Sequence, residues 1–527
     1  MKKISALHLL LALSFVLFAV GIWWGLPDYR GWAPDEIVPA RVVDGLRQFF
    51  SNGWHERYPP FHFYLLSLVY APFLLLHKLH ILDLRQLSSY MILFYLGRFL
   101  SVVMGTAVVY LVYKCGLEIF DRRASVCAAL ITALIVPFEY YSKMVNLDVP
   151  YIFWFVWSIY FFIRILKTQR LKYYLLFAAT AVIAVCTKDQ AFGLYVLTPI
   201  PLILFHWKHE KQSNPDLSLI RSLFDKKYLY FLLAATGLFA IVHNLAFNLQ
   251  GFLRHLALIT GSASESFRIF PRTFSGEIQL LGLTIRQIQG SLGWPLFLVC
   301  GAGLVLSLFQ KKKNALLLTL PLFAVSYYAF YIGMILFNCD RYNMPICIVL
   351  SFFGGQMISS RLKPGPKFFK ATCAIVTIIF CYSFFYSLSV DILMIADSRY
   401  SIERWMNKNI SPEAAIGIAG PVEYNPRLND FPRSYLPLSL EAFQKAQRPD
   451  FVIFPTAYGQ SFAKNSPENL FFSRFSTAGE KYELVIRYKT ELPWLVIKYS
   501  NIGTNMDAVN PEIQIYRRLG LKKKRLS

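Results

Sequence analysis

Long apolar runs recur along almost the whole chain, and they constrain its fold more than any other feature. They lie in residues 1–26 and near 61–77, 90–113, 124–141, 150–165, 172–187, 191–207, 228–248, 293–309, 315–336, 343–360 and 368–390. An α-helix needs about 20 apolar residues to cross a bilayer, so the pattern is that of a polytopic membrane protein. Only 16% of the 527 residues are charged and 55% are hydrophobic. An ordinary soluble domain carries about 25% charged residues, so a soluble enzyme, a disordered chain and a coiled coil are all excluded.

The net charge of +23 would suggest nucleic acid in a soluble protein. In a membrane protein it reflects basic cytoplasmic loops, and no nucleic-acid partner is inferred. The eight cysteines show no CxxC or metal-ligand spacing, and none follows Cys381.

Orientation follows from the loops. The first run starts with Lys2 and Lys3 and ends on bulky Ile22, Trp23 and Trp24 where a cleavage site would need small residues. It therefore reads as a retained helix with a cytoplasmic N-terminus. With all runs counted as spans, the basic loops at 164–172, 310–314 and 359–367 fall outside, against the positive-inside rule. Treating 61–77 as a helix on the outer surface leaves about 11 transmembrane helices and returns those loops to the cytoplasm. The expected organisation is a transmembrane domain at 1–390 and an extracytoplasmic α/β domain at 391–527. The second domain is read as helices at 401–410 and 438–447 and strands in IGIAG, DFVIFP, YELVIRYK and EIQIYRR. Two longer external loops are expected, at 27–89 and 249–292.

Charged groups near a bilayer interior are costly and are functional candidates by default. Those gathered on the outer face are few. Asp35 and Glu36 follow the first helix, and either a solvated turn or a general base suits them. Asp148 stands ahead of Pro150, where an acid serves as a helix N-cap or as a site acid. Lys188 occupies a tight turn, as a snorkelling lysine or an anion ligand. Arg341 and Tyr342 occupy a further turn, and an arginine offers forked donors to phosphate. Arg98 lies in the second span. Carboxylates at two outer turns and cations at others suit a phosphate-bearing substrate at the membrane surface.

In their order, these residues resemble the GT-C glycosyltransferases, and more narrowly the protein O-mannosyltransferase and aminoarabinose-transferase group. The likeness rests on Pro34-Asp35-Glu36, Tyr58-Pro59-Pro60-Phe61-His62, Arg98, Asp148-Val149-Pro150, Thr187-Lys188, Arg341-Tyr342 and Arg404-Trp405. The resemblance implies an all-α membrane domain of GT-C type, with surface helices in the first external loop. It implies transfer of a sugar from a polyprenyl-phosphate donor to a lipid, glycan or protein acceptor, with membrane lipid as the medium. Asp35 would act as catalytic base, Glu36 and Asp148 as further site acids. Arg98, Lys188, Arg341, Tyr342 and His62 would bind substrate. Tyr58 stands where relatives often carry His or Lys, and no MIR-type repeat fills 249–292. The modest loops look bacterial, which implies undecaprenyl phosphate and the inner membrane. No metal site and no particular cofactor is assigned, and a divalent metal is compatible with such an enzyme. A pairing of Glu56 or His62 with His243 has no support from spacing. The rival class is a transporter or flippase of lipid-linked sugars, which would favour internal repeats; none is found. An O-antigen-type ligase or polymerase would use 249–292 as its long periplasmic loop.

Overall fold

In the computed structural model, residues 6–47, 57–261, 265, 268–310, 313–362, 369–435, 449–456, 482–499 and 505–520 are described. The helices in chain order are α1 Ala6–Ala19, α2 Pro39–Arg47, α3 Phe61–Lys78, α4 Leu87–Ile119, α5 Arg122–Ala133, α6 Val136–Tyr141, α7 Asp148–Thr168 and α8 Leu171–Thr187. They continue as α9 Pro199–Lys211, α10 Leu219–Ser222, α11 Lys226–Val242, α12 Leu245–Thr260 and α13 Phe274–Phe309. The last are α14 Ala315–Ile335, α15 Met344–Arg361, α16 Phe369–Ile395 and α17 Ser398–Asn409. Among the described residues, eight helical segments are long and apolar enough to cross a membrane, or nine with the bent α11–α12 pair counted as one. α1 and α8 are shorter apolar helices. The chain is thus a multi-pass helical membrane protein with a small C-terminal sheet.

α3, expected along or dipping into the outer surface, is 18 residues long with a mean hydropathy of 1.2. Two segments differ in detail from the sequence-based reading. The run at 124–141 is broken into α5 and α6. Pro137, in the first turn of α6, has no N–H to donate to the Ala133 carbonyl, so α5 stops there. The stretch 249–292, expected as a loop, is largely helical. α12 leaves α11 at 82° through Asn244, whose φ of 52° breaks the ladder. α13 then runs 36 residues with a kink at Gly293. There φ is +70° and a Cβ would stand 3.1 Å from the Tyr386 ring. The kink frees the Gly290 carbonyl, which accepts the Tyr386 hydroxyl at 2.8 Å.

The described chain divides into two units. The first comprises Met1–Ile22, Pro39–Leu82 and Leu93–Leu388. Its centre is α15, which packs on α5 and α13. Without a hydrophobic drive in lipid, such helices associate by close packing of small residues. Gly355 shows the limit: an added Cβ would stand 2.6 Å from the Ala124 carbonyl and 2.7 Å from the Ala128 nitrogen.

The second unit comprises Trp23–Val38, Asp83–Ile92 and Ser389–Ser527. Its strands are β1 Ile416–Ile418, β2 Ser434–Tyr435, β3 Phe451–Pro455, β4 Tyr482–Tyr488 and β5 Ile513–Arg518, ordered β2-β1-β3-β5-β4. β1 pairs in parallel with β2 and β3, while β5 runs antiparallel to β3 and β4. α17 buries Ile402 and Met406, four residues apart on one face, against Ile416, Ile418, Ile453, Ile513 and Ile515. The two-residue β2 was not expected from the sequence, and the helix expected at 438–447 lies outside the described residues.

The α5–α15 contact carries a direct test. Gly355→Leu forces its side chain into main chain that cannot move without parting the helices. The monodisperse fraction in detergent size-exclusion chromatography is expected to fall severalfold relative to Gly301→Leu, where an added Cβ meets nothing within 4 Å. Equal recovery would refute the packing.

Candidate functional site

In the first unit, three chain turns meet around Asp148. The Asp148 side chain is 2% exposed, and such a carboxylate must be paired to remain charged. Leu147 is the N-cap of α7, so Asp148 is the first helical residue and does not cap. Its own amide donates to Asn146 Oδ1 at 3.0 Å. Its carboxylate is left for two cations.

Lys188 ends α8 in extended conformation, with its amide donating to the Ala184 carbonyl at 3.0 Å. This turns the side chain inward, and Nζ donates to Asp148 Oδ1 at 2.6 Å. Arg341 sits in the short 3₁₀ turn Asp340–Asn343 and places a guanidinium nitrogen 3.9 Å from Asp148 Oδ2. Its side chain is 18% exposed, against 9% for Lys188, so it is the more accessible cation. Aromatic rings enclose the pair: Lys188 Nζ lies 5.6 Å from the Tyr342 ring centre and 5.8 Å from that of Tyr151, within cation–π range. Arg341 lies 5.7 Å from the Tyr342 ring.

A buried amide network sets the Arg341 turn. Asn343 Nδ2 donates to Gln287 Oε1 and to the Cys339 carbonyl, both at 2.9 Å. Asn338 Nδ2 donates to Thr284 Oγ1 at 2.7 Å. Sequence reasoning passed over Gln287, Asn338, Asn343 and Tyr151. The available signal was amide side chains at the boundary of apolar runs, the same signal that singled out the charges. It also passed over Glu139, which pairs with Lys143 in a fully buried contact; Lys143 reaches the Leu17 carbonyl at 3.2 Å.

Asp148, Lys188, Arg341 and Tyr342 are therefore brought together. Arg98 is fully buried and donates to the Ile22 carbonyl at 2.7 Å, satisfying the chain end that follows α1. His62 is 1% exposed in α3, and neither ring nitrogen has a hydrogen-bond partner among the described residues. The pairing of His62 with His243 finds no counterpart in the contacts of His243. That ring stacks on Phe239, and its Nδ1 meets Cys186 Sγ at 3.5 Å.

Asp35 and Glu36 belong to the second unit. Asp35 is exposed with φ of 61°, left-handed and unusual for a residue with a side chain. Asn505 Nδ2 donates to its Oδ2 at 3.0 Å and to the Pro34 carbonyl at 3.3 Å. Glu36 is buried. Burial raises the nearby Tyr424 hydroxyl above its ordinary pKa, and the carboxylates of Asp507, Glu423 and Asp35 add to that. Arg399 acts in the opposite direction.

The segment carrying Asp35 is anchored within its unit by two arginines, Arg399 buried and Arg427 half-buried. Arg399 lies 4.0 Å over the Trp32 ring and 5.1 Å from Trp24, and donates to both Asp397 oxygens at 2.9 and 2.6 Å. Trp24 Nε1 shares Asp397 Oδ2 at 3.0 Å. Arg427 donates to Glu403 at 2.9 and 2.5 Å and to the Leu26 carbonyl at 2.5 Å. Burial would lower the Arg427 pKa, but Glu403 outweighs it and holds the guanidinium above its usual value.

Residues 94–247 match the family model for dolichyl-phosphate-mannose-protein mannosyltransferase. That stretch carries Arg98, Asp148 and Lys188, and there the likeness to the mannosyltransferase group drawn from the sequence is borne out. Among solved structures, the chain is similar to ArnT from Cupriavidus metallidurans bound to undecaprenyl phosphate. The TM-score is 0.47 at 12% identity, covering 96% of this chain and 97% of that one. It is similar to the apo oligosaccharyltransferase of Archaeoglobus fulgidus, with TM-score 0.46 and 14% identity over 87% of this chain and 70% of that chain. A further similarity is to the S. cerevisiae protein O-mannosyltransferase Pmt1–Pmt2 complex bound to the sugar donor. Its TM-score is 0.32 at 19% identity, over 48% of this chain and 35% of that chain. No curated protein sequence matches the chain.

Removing one partner of a buried ion pair typically costs about 3–5 kcal/mol, because the other charge is stranded. Lys188→Met is therefore expected to lower the thermal midpoint of the purified protein strongly. The double change Asp148→Asn with Lys188→Met is expected to cost less than the sum of the two single changes. Scanning fluorimetry of the two single variants and the double variant tests this, and additive losses would show that the two groups do not pair.

Proposed function

We propose that the chain is an integral-membrane glycosyltransferase that moves a sugar from a polyprenyl-phosphate donor to a lipid, glycan or protein acceptor. The observation that carries this reading is the buried Asp148–Lys188–Arg341 cluster, in a membrane unit whose residues 94–247 match a mannosyltransferase model. Two cations, Lys188 and Arg341, converge there on Asp148, and preorganised cations suit an anionic phosphate.

In this reading the acceptor hydroxyl attacks the anomeric carbon of the donor. Asp35 takes the hydroxyl proton, with Glu36 assisting. The bond from the anomeric carbon to the phosphate oxygen breaks, its electron pair stays on that oxygen, and polyprenyl phosphate leaves. One displacement inverts the anomeric centre. Lys188 and Arg341 stabilise the leaving phosphate, with Arg341 as the forked donor. Asp148 is the second site acid, and it orients both cations. Tyr342 and His62 line the donor side, and Arg98 supports the loops around the phosphate. No metal is assigned a step.

The same reading places the enzyme in the bacterial inner membrane with its N-terminus cytoplasmic, the reaction and residues 391–527 extracytoplasmic, and undecaprenyl phosphate as carrier. The carrier class accords with the similar structures: ArnT is bound to undecaprenyl phosphate and Pmt1–Pmt2 to the sugar donor. The rival reading, a transporter of lipid-linked sugars, predicts that donor translocation survives loss of the base.

Membranes holding the native chain or Asp35→Asn distinguish the two, with lipid-linked sugar and modified acceptor followed by mass spectrometry. At equal protein level, Asp35→Asn is expected to lower transfer by about 10²-fold or more, with donor accumulating. Full transfer by the variant would remove Asp35 as base.

A further inference from the structure

Away from the Asp148 cluster, three ligating side chains meet where α9 ends and α11 begins. His206 and Glu210 stand four residues apart on α9, and so share one face of it. Asp225 is the N-cap of α11 and spends Oδ1 on the Lys227 amide at 2.7 Å, leaving Oδ2 available. Ligating atoms of the three all lie within 4.8 Å of one another, and among the described residues this is the one such group. The His206 side chain is 1% exposed, against 35% for Glu210 and 25% for Asp225. The imidazole forms the floor and the carboxylates the open side.

The hydrogen bonds specify the imidazole tautomer. His206 Nδ1 lies 3.2 Å from Gln169 Oε1, an oxygen that also accepts the Tyr174 hydroxyl at 2.6 Å. An amide oxygen only accepts, so Nδ1 carries a hydrogen, and in the neutral ring Nε2 presents its lone pair. Nε2 is buried with no hydrogen-bond partner among the described residues, yet Asp225 Oδ2 stands 3.2 Å away. Two electron-pair donors at that distance repel unless a cation joins them. Lys227 Nζ lies 3.2 Å from Glu210 Oε1 and 3.8 Å from Asp225 Oδ2. It neutralises the carboxylates, but no hydrogen bond reaches Nε2.

We propose that His206 Nε2, Glu210 and Asp225 Oδ2 form a divalent-cation site, with Zn²⁺ the ion best suited to this nitrogen and oxygen set and Lys227 its competitor. Tetrahedral zinc with ligands at about 2.0–2.2 Å sets neighbouring donors about 3.4 Å apart, close to the spacing already present between Nε2 and Oδ2. Water completes the shell on the exposed side. Gln169 and Tyr174 hold the ring in its ligating tautomer, the usual task of groups behind a metal ligand. The ion would tie α9 to α11 across residues 212–224, which makes it a structural staple and separates it from the sugar-transfer chemistry.

The full chain in detergent, stripped with chelator, is titrated with ZnCl₂ alone, and bound metal is counted after desalting. The native protein is expected to retain one equivalent with a raised thermal midpoint. Glu210→Gln, which changes a partly exposed residue and leaves the fold intact, is expected to bind at least tenfold more weakly. Asp225→Asn keeps the cap and is expected to behave likewise. Lys227→Gln removes the competing ammonium and is expected to bind more tightly than native. Zinc retention by the native chain equal to that of Glu210→Gln would overturn the site. That is the outcome if a protonated imidazole simply pairs with Asp225.

Discussion

A carboxylate buried inside an apolar helical bundle cannot be left alone, and Asp148 imposes that condition on everything around it. Placing it at the first turn of α7 obliges α8 to end where Lys188 can reach it at 2.6 Å. It also obliges the turn ahead of α15 to present Arg341 on its other side, 3.9 Å away. The energetic penalty of desolvation is offset only when the partner geometry is good and further hydrogen bonds are supplied. The amides of Gln287, Asn338 and Asn343 supply the rigidity of the Arg341 turn. A cation held in this way is preorganised for an anion, which is the electrostatic requirement of a leaving phosphate.

The second unit solves the same problem with aromatic help. Arg399 is fully buried, donates to Asp397 and to the Ala508 and Glu423 carbonyls, and is faced by two tryptophan rings. Arg427 repeats the arrangement with Glu403 and Tyr400. Guanidinium is weakly hydrated and planar, so it tolerates such sites better than an ammonium. These contacts join Trp23–Val38 to residues some 370 positions later and give the left-handed turn at Asp35 a fixed base.

Much of this was legible beforehand because charge inside apolar sequence is rare. Asp148, Lys188 and Arg341 stood out by that test, with Tyr342 beside Arg341, and the four converge. The strands at 416–418, 451–455, 482–488 and 513–518 were legible from alternation and β-branched content. What escaped has physical reasons. Amides such as Asn343 are unremarkable in a turn until their partners are known. Glu139 lies in an apolar run near a proline, and its partner Lys143 is visible only once α6 is a helix. α12 and the first half of α13 read as loop because their apolar residues are interspersed with polar ones. The union of Trp23–Val38 with the C-terminal sheet depends on pairings remote in sequence, which local patterns do not carry. β2 is two residues long and exists only because β1 is there to pair with it.

The central claim is that the charged cluster of the membrane unit receives a lipid-borne phosphate. Titrating the purified protein with undecaprenyl phosphate, for the native chain and for Arg341→Gln at matched stability, tests it most directly. Hydrogen bonds to a charged group contribute about 1.5–3 kcal/mol, so the account predicts affinity about tenfold weaker or worse for the variant. Equal affinity of the two proteins for the lipid phosphate would contradict it.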